Sequence, residues 1–515
     1  MADRNTTYLS HILFFGLCCM ILAFPASADT LPVAYDLRDI GAVTPVEHQG
    51  GYGTCWAFGT LHPMESNSIL KGYETNTSIN LSERHLLYFF SHRENVTAGI
   101  VNPKLAGLAG DTMSYLNVSY LDAGGYAELA VLQLALGIGP VDDSLAPYAA
   151  LSPMNPQPVE TLPGLPAELA VGQSRYHLSS AVMPIDGTRD EIKHLLLEHG
   201  AGSISYYACP PEEEKEYMNV SVYRQNPSTC YYQTNSTVEP NHAVTLAGWD
   251  DNYPKENFKT QPGNDGAWLI KNSWGTEYFD EGYLWISYEE PSLESFIFYD
   301  VVPAGWYDSC YQYDGTASFF GVDAPETGSR TAVLTTYALN TDATGKEHLR
   351  EVLQRLDESR ENTSVVEAKN VFTAAGDEDI THASFVTFNS NTEYRITVSV
   401  NNHAAETLTG YLRHPGYYTA ELPKSVRVET GDNFAVSLRL SVNPADTVNL
   451  ATDDQTLQMP ADAITVVDET IVCSAVSERR QSWFFDGTEF VDAYSLYAEN
   501  TGSMNFRIKA FGEVR

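Results

Sequence analysis

The order of apolar and polar residues predicts different structures in different parts of the chain. Residues 12–24 form an apolar run of 13 residues, too short to span a bilayer comfortably, and the small residues 26–28 follow it. This arrangement predicts a signal peptide over residues 1–28. Because of this signal peptide, the mature protein is predicted to be exported, either secreted or associated with the cell surface. No later segment has the pattern of a membrane span, so no span is predicted in the mature protein.

The next pattern indicates a helix that begins at a cysteine. Trp56, Phe58 and Leu61 follow Cys55 with roughly helical spacing. Pro63 lies inside the same pattern, and a proline in a helix interior costs about 3 kcal/mol. We therefore expect a helix from Cys55 that bends or restarts at Pro63.

The last 220 or so residues alternate between apolar and polar positions instead. Residues 394–400 and 434–442 have a period of two, and turns with Gly and Asp, such as Asp486-Gly487, separate such runs. This pattern predicts antiparallel strands of a β-sandwich. Residues 344–362 break the alternation with one apolar stripe (Leu349, Val352, Leu353 and Leu356), which predicts an amphipathic helical insertion packed on the sandwich.

Composition and charge restrict the partners. The chain has 515 residues, which is too long for one ordinary core, and its 31 tyrosines and 21 phenylalanines suit folded, partly β-rich domains. Its 30 Lys+Arg against 67 Asp+Glu give a net charge of −37. Such a surface repels nucleic acid, which is bound through basic clusters, so no nucleic-acid partner is predicted.

Five cysteines remain after the predicted signal peptide, and they raise the question of disulfides. An odd number leaves at least one thiol unpaired if the others bridge. Cys209 and Cys230 flank one loop, where a bridge would contribute about 3 kcal/mol. A bridge between Cys310 and Cys473 stays open, since spacing does not determine connectivity.

Cys55 has the context of a nucleophile. At a helix N-terminus a thiol meets unpaired N–H groups and the positive end of the helix dipole, which favours the thiolate. A thiolate enzyme also needs a base, and that base needs an orienting partner. His242 begins a strand-like run, and Asn272 follows the apolar run 267–270 with Trp274 two residues later. Asn272 would orient the imidazole, and Trp274 would shield their hydrogen bond from water.

Three segments together resemble the papain family of cysteine peptidases: LPVAYDLRDIGAVTPVEHQGGYGTCWAF, NHAVTLAGWD and GAWLIKNSWGTEYFDEGYLWISY. His242 and Asn272 follow Cys55 by 187 (242 − 55) and 217 (272 − 55) residues, against about 130–150 in the family, so insertions separate the motifs. The resemblance implies an α+β, two-lobed peptidase domain over 29–293 that acts on proteins or peptides. It makes Cys55 the nucleophile, His242 the general acid and base, Asn272 its orienting partner and Gln49 an oxyanion donor.

The resemblance also implies residues that bind substrate. Gly124 and Gly125 are similar to the family's Gly-Gly segment, whose backbone pairs with the substrate, although a turn before a helix over 128–136 explains them equally well. Asn241 and Ala243 flank the histidine and would line the pocket for the second residue upstream of the cut. Trp274 completes the predicted substrate-binding set.

Two departures from the family pattern are visible. Tyr52 stands where the family often has a disulfide cysteine, three residues before the nucleophile. Only residues 29–35 lie between the predicted signal peptide and the first motif, which leaves no room there for the family's long inhibitory pro-segment. We therefore expect an enzyme that is active on secretion, or one restrained by its other domain or its surroundings.

The C-terminal region has a resemblance of its own. Runs such as GYYTAEL (416–422), GDNFAVSLRL (431–440) and NFRIKAF (505–511) are similar to the lectin-like domain attached to papain-type peptidases of clostridial and archaeal cell surfaces. The resemblance implies an all-β lectin-like sandwich over 294–515 and a cell-surface glycan as a second partner. Trp483, Phe484 and Tyr418 suit either the core or a sugar platform, because a fold does not define a site.

No metal or cofactor is predicted. Neither an HExxH nor a CxxC spacing occurs. Asp250, Asp251 and Asn252 supply three oxygen side chains where calcium takes six to eight ligands, so a solvated turn is favoured over a calcium loop.

Two classes of function fit these observations. The first is an exported cysteine endopeptidase with a thiolate–imidazolium mechanism that acts on cell-surface or extracellular proteins. The second is a surface adhesion or carbohydrate-binding protein in which the peptidase half is a non-catalytic scaffold. A transpeptidase shares the acyl-enzyme step of the first hypothesis.

Overall fold

The computed structural model describes residues 31–92, 111–115, 118–148, 163–210, 213, 217–219, 229–316, 320–323, 334–336, 364–446, 448–450, 457–463, 465–467, 471–475, 477–496 and 504–515. Residues from Leu31 to the C-terminus form one compact unit. The predicted signal peptide (1–28) and helical insertion (344–362) lie outside the described residues. Within the described part, no helix combines the length and the apolar character needed to cross a membrane.

Five α-helices are described: α1 (Cys55–Leu70), α2 (Glu83–Ser91), α3 (Ala127–Leu134), α4 (Arg189–His199) and α5 (Ala493–Leu496). Strands in the first part of the chain are β1 (Ala34–Asp36), β2 (Thr112–Tyr115), β3 (Tyr176–Val182), β4 (Gly202–Tyr206), β5 (Cys230–Tyr231), β6 (His242–Asp250), β7 (Ala267–Lys271), β8 (Tyr283–Ser287), β9 (Glu294–Pro303), β10 (Ser309–Tyr311), β11 (Phe320–Asp323) and β12 (Leu334–Thr336).

The later strands are β13 (Val365–Thr373), β14 (Glu378–Thr387), β15 (Thr392–Val400), β16 (His403–Leu412), β17 (Gly416–Val428), β18 (Asn433–Ser441), β19 (Gln458–Ala463), β20 (Thr465–Val467), β21 (Ile471–Ser474), β22 (Ser482–Phe485), β23 (Phe490–Asp492), β24 (Met504–Phe506) and β25 (Ile508–Val514). The run 394–400, predicted as a strand from its period of two, lies within β15, and β18 covers the predicted run 434–442 except for its last residue.

Helix α1 begins at Cys55, as predicted, and continues through Pro63 without restarting. Of the two expected outcomes, a bend or a restart, the restart does not occur. Every residue from Trp56 to Ser68 is buried, so α1 is packed on all sides. Most helix stability in proteins comes from such packing rather than from propensity, and here the packing outweighs the cost of the proline.

Helix α2 shows how a local signal defines an end. The Ser82 side chain accepts a hydrogen bond from His85 N at 3.0 Å, and Glu83 occupies the first turn near the positive end of the helix dipole. Five residues of α2 that face the core (Leu86, Leu87, Phe89, Phe90 and His85) are buried. The cap orients α2 so that this face packs beside α1.

The C-terminal half is a β-sandwich. One layer is a six-stranded sheet in the order β16-β15-β18-β13-β22-β23. Its alternating inward residues, among them Val436, Leu438 and Phe372, share one apolar core with Phe385 of β14 and Ile508 of β25. The second layer is therefore the part of the largest sheet that contains β14, β17 and β25, and the predicted sandwich is confirmed.

That largest sheet runs through both halves of the molecule. Its twelve strands follow the order β10-β25-β14-β17-β3-β9-β4-β6-β7-β8-β5, with β1 paired to β6. Strands β17 and β3 join the halves through the pairs Gly416–Val182, Tyr417–Ala181 and Tyr418–Ser180. A side chain at Gly416 would collide with the Ala181 carbonyl oxygen, so the glycine permits the join.

The two halves of the molecule are joined by a second strand pair. Strand β2 pairs with β21 in the register Met113–Cys473, which links the halves again. The predicted boundary at 293–294 falls directly before β9, whose partners β3 and β4 precede it in the chain. No disulfide joins the five cysteines of the described residues, so the bridges considered above, 209–230 and 310–473, are not formed.

Candidate active site

Cys55 is positioned by the start of α1 and by a glycine one turn later. Thr54 precedes the helix as its N-cap, and Cys55 retains part of its surface in contact with solvent. A Cβ on Gly59 would lie 3.4 Å from Ala243, at ordinary contact distance, so α1 packs closely on β6 at this position. Since residues i and i+4 share a helix face, Cys55 and Gly59 both face the beginning of β6, where His242 lies.

His242 is held by contacts on two sides. Its Nε2 lies 2.8 Å from Asn272 Oδ1, and because the amide oxygen accepts, this nitrogen carries the proton. The Trp274 indole stacks on the imidazole with ring centroids 4.7 Å apart, and Tyr206 on the neighbouring strand contacts it edge-on at 5.9 Å. Only 6% of His242 is exposed. The sequence prediction that Trp274 shields the imidazole–amide bond agrees with this placement.

Asn272 follows β7 and is oriented by backbone bonds. Asn272 N donates to Gly282 O at 2.9 Å, and its Oδ1 also accepts Ser273 N at 2.7 Å. The amide oxygen is therefore fixed between a backbone donor and the imidazole. This orientation selects the tautomer of His242.

Gln49 is buried and held by the same loop. Its Oε1 accepts a hydrogen bond from Ser273 Oγ at 2.7 Å, and its Nε2 donates to Tyr52 O at 2.9 Å. The backbone Gln49 N also donates to Ser273 O at 2.8 Å. An amide nitrogen carries two hydrogens, so the second hydrogen of Nε2 is available to a ligand at the helix N-terminus.

Tyr148 is a positioning residue that the sequence did not reveal. Its hydroxyl donates to Gln49 O at 2.7 Å and accepts from Thr54 Oγ1 at 2.8 Å. The two bonds join the cap of α1 to the Gln49 turn through one buried hydroxyl. Nothing in the motif spacing indicated Tyr148, because it is 94 residues from Thr54 in the chain. Ser273, by contrast, lies inside the KNSWG motif.

The electrostatics of the pair are dominated by burial. Desolvation raises the pKa of the Cys55 thiol, while hydrogen bonds with the backbone of Ala243 and Trp56 act in the opposite direction. Desolvation also lowers the pKa of His242 to about 4, against the raising effect of its bond to Asn272. Each group alone therefore favours its neutral form. A thiolate–imidazolium pair requires the mutual attraction of the two charges to exceed both desolvation costs.

The predicted Gly-Gly segment lies against the cysteine loop. A Cβ on Gly53 would come within 3.3 Å of Gly124 N, and Gly124 has a φ of +73° with open space where its side chain would be. A Cβ on Gly125 would lie 2.6 Å from the Trp56 ring, so Gly125 has a packing reason of its own. The structure thus places Gly124 beside Gly53 in the loop that leads to Cys55.

Asn241 and Ala243 differ in their surroundings. Asn241 is exposed, and both polar atoms of its side chain bond the Ala208 backbone, Oδ1 accepting at 2.8 Å and Nδ2 donating at 3.2 Å. Ala243 is buried against Gly59.

The polar turn at 250–252 has hydrogen-bond partners within the protein. Asp250 accepts a hydrogen bond from Asn252 N, and Asp251 accepts one from Lys193 Nζ.

Helix α1, which begins at Cys55, lies against the start of β6 at Ala243, and the preceding His242 is bonded to Asn272. Residues 31–100 and 185–299 match the model of the papain family cysteine protease. Residues 356–512 match the model of the lectin-like domain. The chain therefore combines a papain-family cysteine protease domain with a lectin-like domain, and both resemblances are confirmed.

The sequences of individual proteases are similar to about half of this chain. The cathepsin L-like proteinase of Fasciola hepatica is 26% identical over 268 residues, which are 51% of this chain and 62% of that protein. Falcipain-3 of Plasmodium falciparum is 27% identical over 52% of this chain and 43% of that protein. The chain thus spans less than two thirds of the length of these relatives.

Two solved structures match both halves. The clostridial cysteine protease Cwp84 after propeptide cleavage is 22% identical, with a TM-score of 0.66 over 94% of this chain and 99% of that one. The cysteine protease and lectin-like domains of Cwp84, described as a surface layer associated protein of Clostridium difficile, give a TM-score of 0.64 over 94% of this chain and 89% of that one. Both structures of Cwp84 share this chain's fold.

Proposed function

We propose that this protein is an exported cysteine endopeptidase with Cys55 as nucleophile, His242 as general acid and base, and Asn272 as the partner that orients it. The observation that carries the proposal is the 2.8 Å bond from His242 Nε2 to Asn272 Oδ1 beneath Trp274, next to the helix that begins at Cys55. Because Nε2 carries this bond, Nδ1 is the nitrogen available to exchange a proton with the thiol.

In the acylation step, the Cys55 thiolate attacks the carbonyl carbon and the carbon–oxygen π electrons move to the oxygen. The C–N bond then breaks, and the imidazolium of His242 gives its proton to the departing amine. In deacylation, His242 takes a proton from water, whose oxygen attacks the thioester, and the C–S bond breaks. The products are an amine and an acid, and the thiolate–imidazolium pair is restored.

Gln49 stabilises the oxyanion in this proposal. Its amide is preorganised by Ser273 and Tyr52, and the backbone N–H groups at the start of α1 provide further donors. One preorganised donor of this kind contributes about 3 kcal/mol to the transition state. Gly124, which leaves backbone exposed beside the loop of Gly53, is the position where an extended substrate would pair. Gly125, Asn241, Ala243 and Trp274 complete the proposed substrate-binding set.

The substrates that we propose are proteins outside the cell or at its surface. The support is twofold: the N-terminal run that predicts a signal peptide, and the fold shared with a protease described as surface layer associated. The proposed domain limits are 29–293 and 294–515.

The experiment compares cysteine variants of the mature protein on a peptide library. Cys55→Ala should abolish cleavage, and an iodoacetamide probe at neutral pH should label Cys55 much faster than a thiol of the unfolded protein. Cys209→Ala is the matched control, because Cys209 is also partly exposed. Cleavage that survives Cys55→Ala would reject the proposal. Ligated product after addition of an amine nucleophile would instead identify a transpeptidase.

A second candidate function, glycan binding, is favoured by a groove on the lectin-like half. A cavity of about 590 Å³ is lined by Asn391, Glu393, Tyr411, Arg413, Ser441, Val442, Asn443 and Asp446. Tyr411 is 50% exposed, and its hydroxyl and Arg413 Nη1 both donate to Asn391 Oδ1, at 2.6 and 2.9 Å. An exposed ring beside fixed amide and guanidinium groups is suited to a sugar, with its apolar face and its hydroxyl edge.

Glycan-array binding of the Cys55→Ala protein tests this function separately from cleavage. Tyr411→Ala should remove retention on the array. Tyr494→Ala is the matched control, since Tyr494 is an exposed tyrosine of the same half outside the groove. Equal retention of both variants would place any glycan elsewhere, and no retention of the parent would reject the function.

A further inference from the structure

Behind the candidate active site lies a group of buried ionisable side chains that the proposed mechanism does not use. Glu47, His62 and Glu83 each offer one ligand-type atom, and all three atoms lie within 4.8 Å of one another. We call these three residues the Glu-His-Glu cluster. His62 is 3% exposed and Glu83 is 1% exposed, whereas the Glu47 side chain is 31% exposed.

The separations suit a shared cation. His62 Nε2 lies 3.1 Å from Glu47 Oε2 and 3.9 Å from Glu83 Oε1. Ligands about 2.0–2.1 Å from a tetrahedral zinc ion are about 3.3–3.4 Å apart, so small side-chain rotations bring the three atoms to bonding distance. One imidazole nitrogen with two carboxylates is also a donor set that zinc accepts, whereas calcium and magnesium take oxygen ligands.

An unsatisfied oxygen independently indicates a missing ligand. Glu83 Oε1 is buried and has no hydrogen-bond donor. A buried carboxylate oxygen without a donor is unfavourable, and such groups are normally paired or bound to a metal. His62 Nε2 lies 3.9 Å from this oxygen, so the oxygen faces the Glu-His-Glu cluster.

The neighbouring buried charged side chains, Glu65 and Lys271, already have partners within the protein. Glu65 is fully bonded, because its Oε1 accepts Leu81 N at 2.7 Å and its Oε2 accepts Thr44 Oγ1 at 2.6 Å. Lys271 is the buried cation here, and its Nζ donates to Thr44 Oγ1 at 3.0 Å. Neither side chain therefore provides the donor that Glu83 Oε1 lacks.

We propose that Glu47, His62 and Glu83 bind a divalent cation of the Zn²⁺ type as a structural site. Glu47 provides the route of entry, since it is the exposed member. The metal connects the segment that leads to Gln49 with α1 and α2, because the three ligands lie on these three elements. Glu47 O also accepts Gly275 N at 3.0 Å, which joins this segment to the loop of Trp274. The site is independent of the cleavage step.

The first experiment measures binding in the untagged Cys55→Ala protein, which lacks the thiolate that would itself attract zinc at the active site. After treatment with a chelator and dialysis, Zn²⁺ should bind with a stoichiometry of one and raise the unfolding midpoint by several degrees, as a ligand of the native state does. Cobalt substitution should give the visible absorption of a low-symmetry site.

The second experiment assigns the ligands. In the Cys55→Ala background, His62→Leu and Glu83→Gln should each weaken Zn²⁺ binding by at least about 100-fold, because even outer-shell changes cost 10–100-fold. Glu65→Gln is the matched control: it removes a carboxylate of the same neighbourhood whose oxygens are already bonded, and it should leave the affinity within a few-fold.

The proposal is overturned if zinc neither binds stoichiometrically nor shifts the unfolding midpoint, or if Glu83→Gln binds as tightly as the parent. Should a variant fail to fold, anomalous diffraction at the zinc edge from crystals of the Cys55→Ala protein decides the question. Density between the three side chains supports the site, and a zinc ion bound only elsewhere rejects it.

Discussion

Helix α1 and strand β18 differ in which of their residues are buried. In β18, inward residues such as Val436 and Leu438 are buried and the residues between them are partly exposed, so the strand has one apolar face. In α1, every position from Trp56 to Ser68 is buried, including His62, Glu65 and Asn67. In this strand of the sandwich, the buried residues are therefore the apolar positions of the period-two pattern. The peptidase helix also buries polar groups, and each of these needs a specific partner.

The comparison implies that α1 tolerates less change than β18. Where polar atoms are buried, stability and chemistry depend on particular contacts. Where only an apolar face is buried, volume and shape decide. Substitutions at or beside α1 are therefore expected to affect the chemistry, and substitutions in β18 only the stability.

Replacement of the buried imidazole should have the largest effect on the chemistry of Cys55. Burial raises the pKa of this thiol, so without an imidazolium partner the thiolate fraction at pH 6 falls. We expect His242→Ala to slow iodoacetamide labelling at pH 6 by about 300-fold or more, the factor for a thiol of ordinary pKa. The rate should recover as the pH rises above the thiol pKa.

The measurement is a pH profile of labelling for the parent and the variant, with Cys209→Ala as the reference background. A parent whose labelling rate rises only at alkaline pH would show that the neutral pair prevails. The thiolate–imidazolium mechanism would then need revision.

Enlarging Gly59 should separate the reacting groups. A Cβ at this position is at ordinary contact distance from Ala243, 3.4 Å, so Gly59→Ala should be tolerated, but the larger Gly59→Leu must displace α1 from β6. A displacement of about 1 Å costs about 100-fold in rate. We expect kcat to fall by this factor in Gly59→Leu and to stay within a few-fold in Gly59→Ala. Equal activity of the two variants would contradict the close helix–strand contact as the positioning element.

A truncation in the sandwich should affect stability without affecting the site. Val436 is 1% exposed in the core between the layers, and Val436→Ala should lower the free energy of unfolding by about 2 kcal/mol. Ser437→Ala, the next residue on the other face, should change it by less than about 0.5 kcal/mol. Denaturant melts of both variants provide the values, and kcat at low temperature should match the parent. Loss of kcat in proportion to stability would show that the two halves do not behave independently.

The smallest effect concerns an ion pair near the end of α1. Burial by itself raises the pKa of Asp300, but His199, 3.2 Å away, and Lys71, 2.9 Å away, lower it well below the usual range. A carboxyl whose pKa is depressed on folding adds stability above its unfolded pKa, and this stability is lost as the pH falls through the folded value.

Asp300→Asn should therefore destabilise the protein by about 1 kcal/mol at pH 7, since the group is only partly buried. The difference from the parent should shrink below about pH 4. Thermal melts between pH 3 and 7 measure it. A difference that does not change with pH would assign the effect to packing rather than to charge.

Sequence patterns were most informative where the interactions are local. The strands around 394–400 and 434–442, the cap at Ser82 and the start of α1 all follow from neighbouring residues. Pro63 does not interrupt α1, because tertiary packing outweighs the local cost of the proline. The sequence left open whether Gly125 binds substrate or forms a turn. In the structure the Trp56 ring leaves no room for a side chain at this position, which explains the glycine by packing.

The site itself was predictable as a set of residues but not as a geometry. Motif resemblance selected Gln49, Cys55, His242 and Asn272, and the 2.8 Å bond between the last two brings one pair together as expected. The resemblance did not indicate Tyr148, whose hydroxyl joins the cap of α1 to Gln49. It also did not indicate that Asn241 bonds the Ala208 backbone. Both contacts link residues far apart in the chain.

The sequence by itself determined the class of each half, the helix that starts at Cys55 and the residue types available for catalysis, since periodicity and motifs are properties of short segments. Only the tertiary structure decided that β17 joins β3 in one twelve-stranded sheet and that residues 47, 62 and 83 face one another. The physical reason is that strand pairing and buried polar contacts depend on residues distant in the chain. Their free energy arises only when the surrounding core brings them together and excludes water.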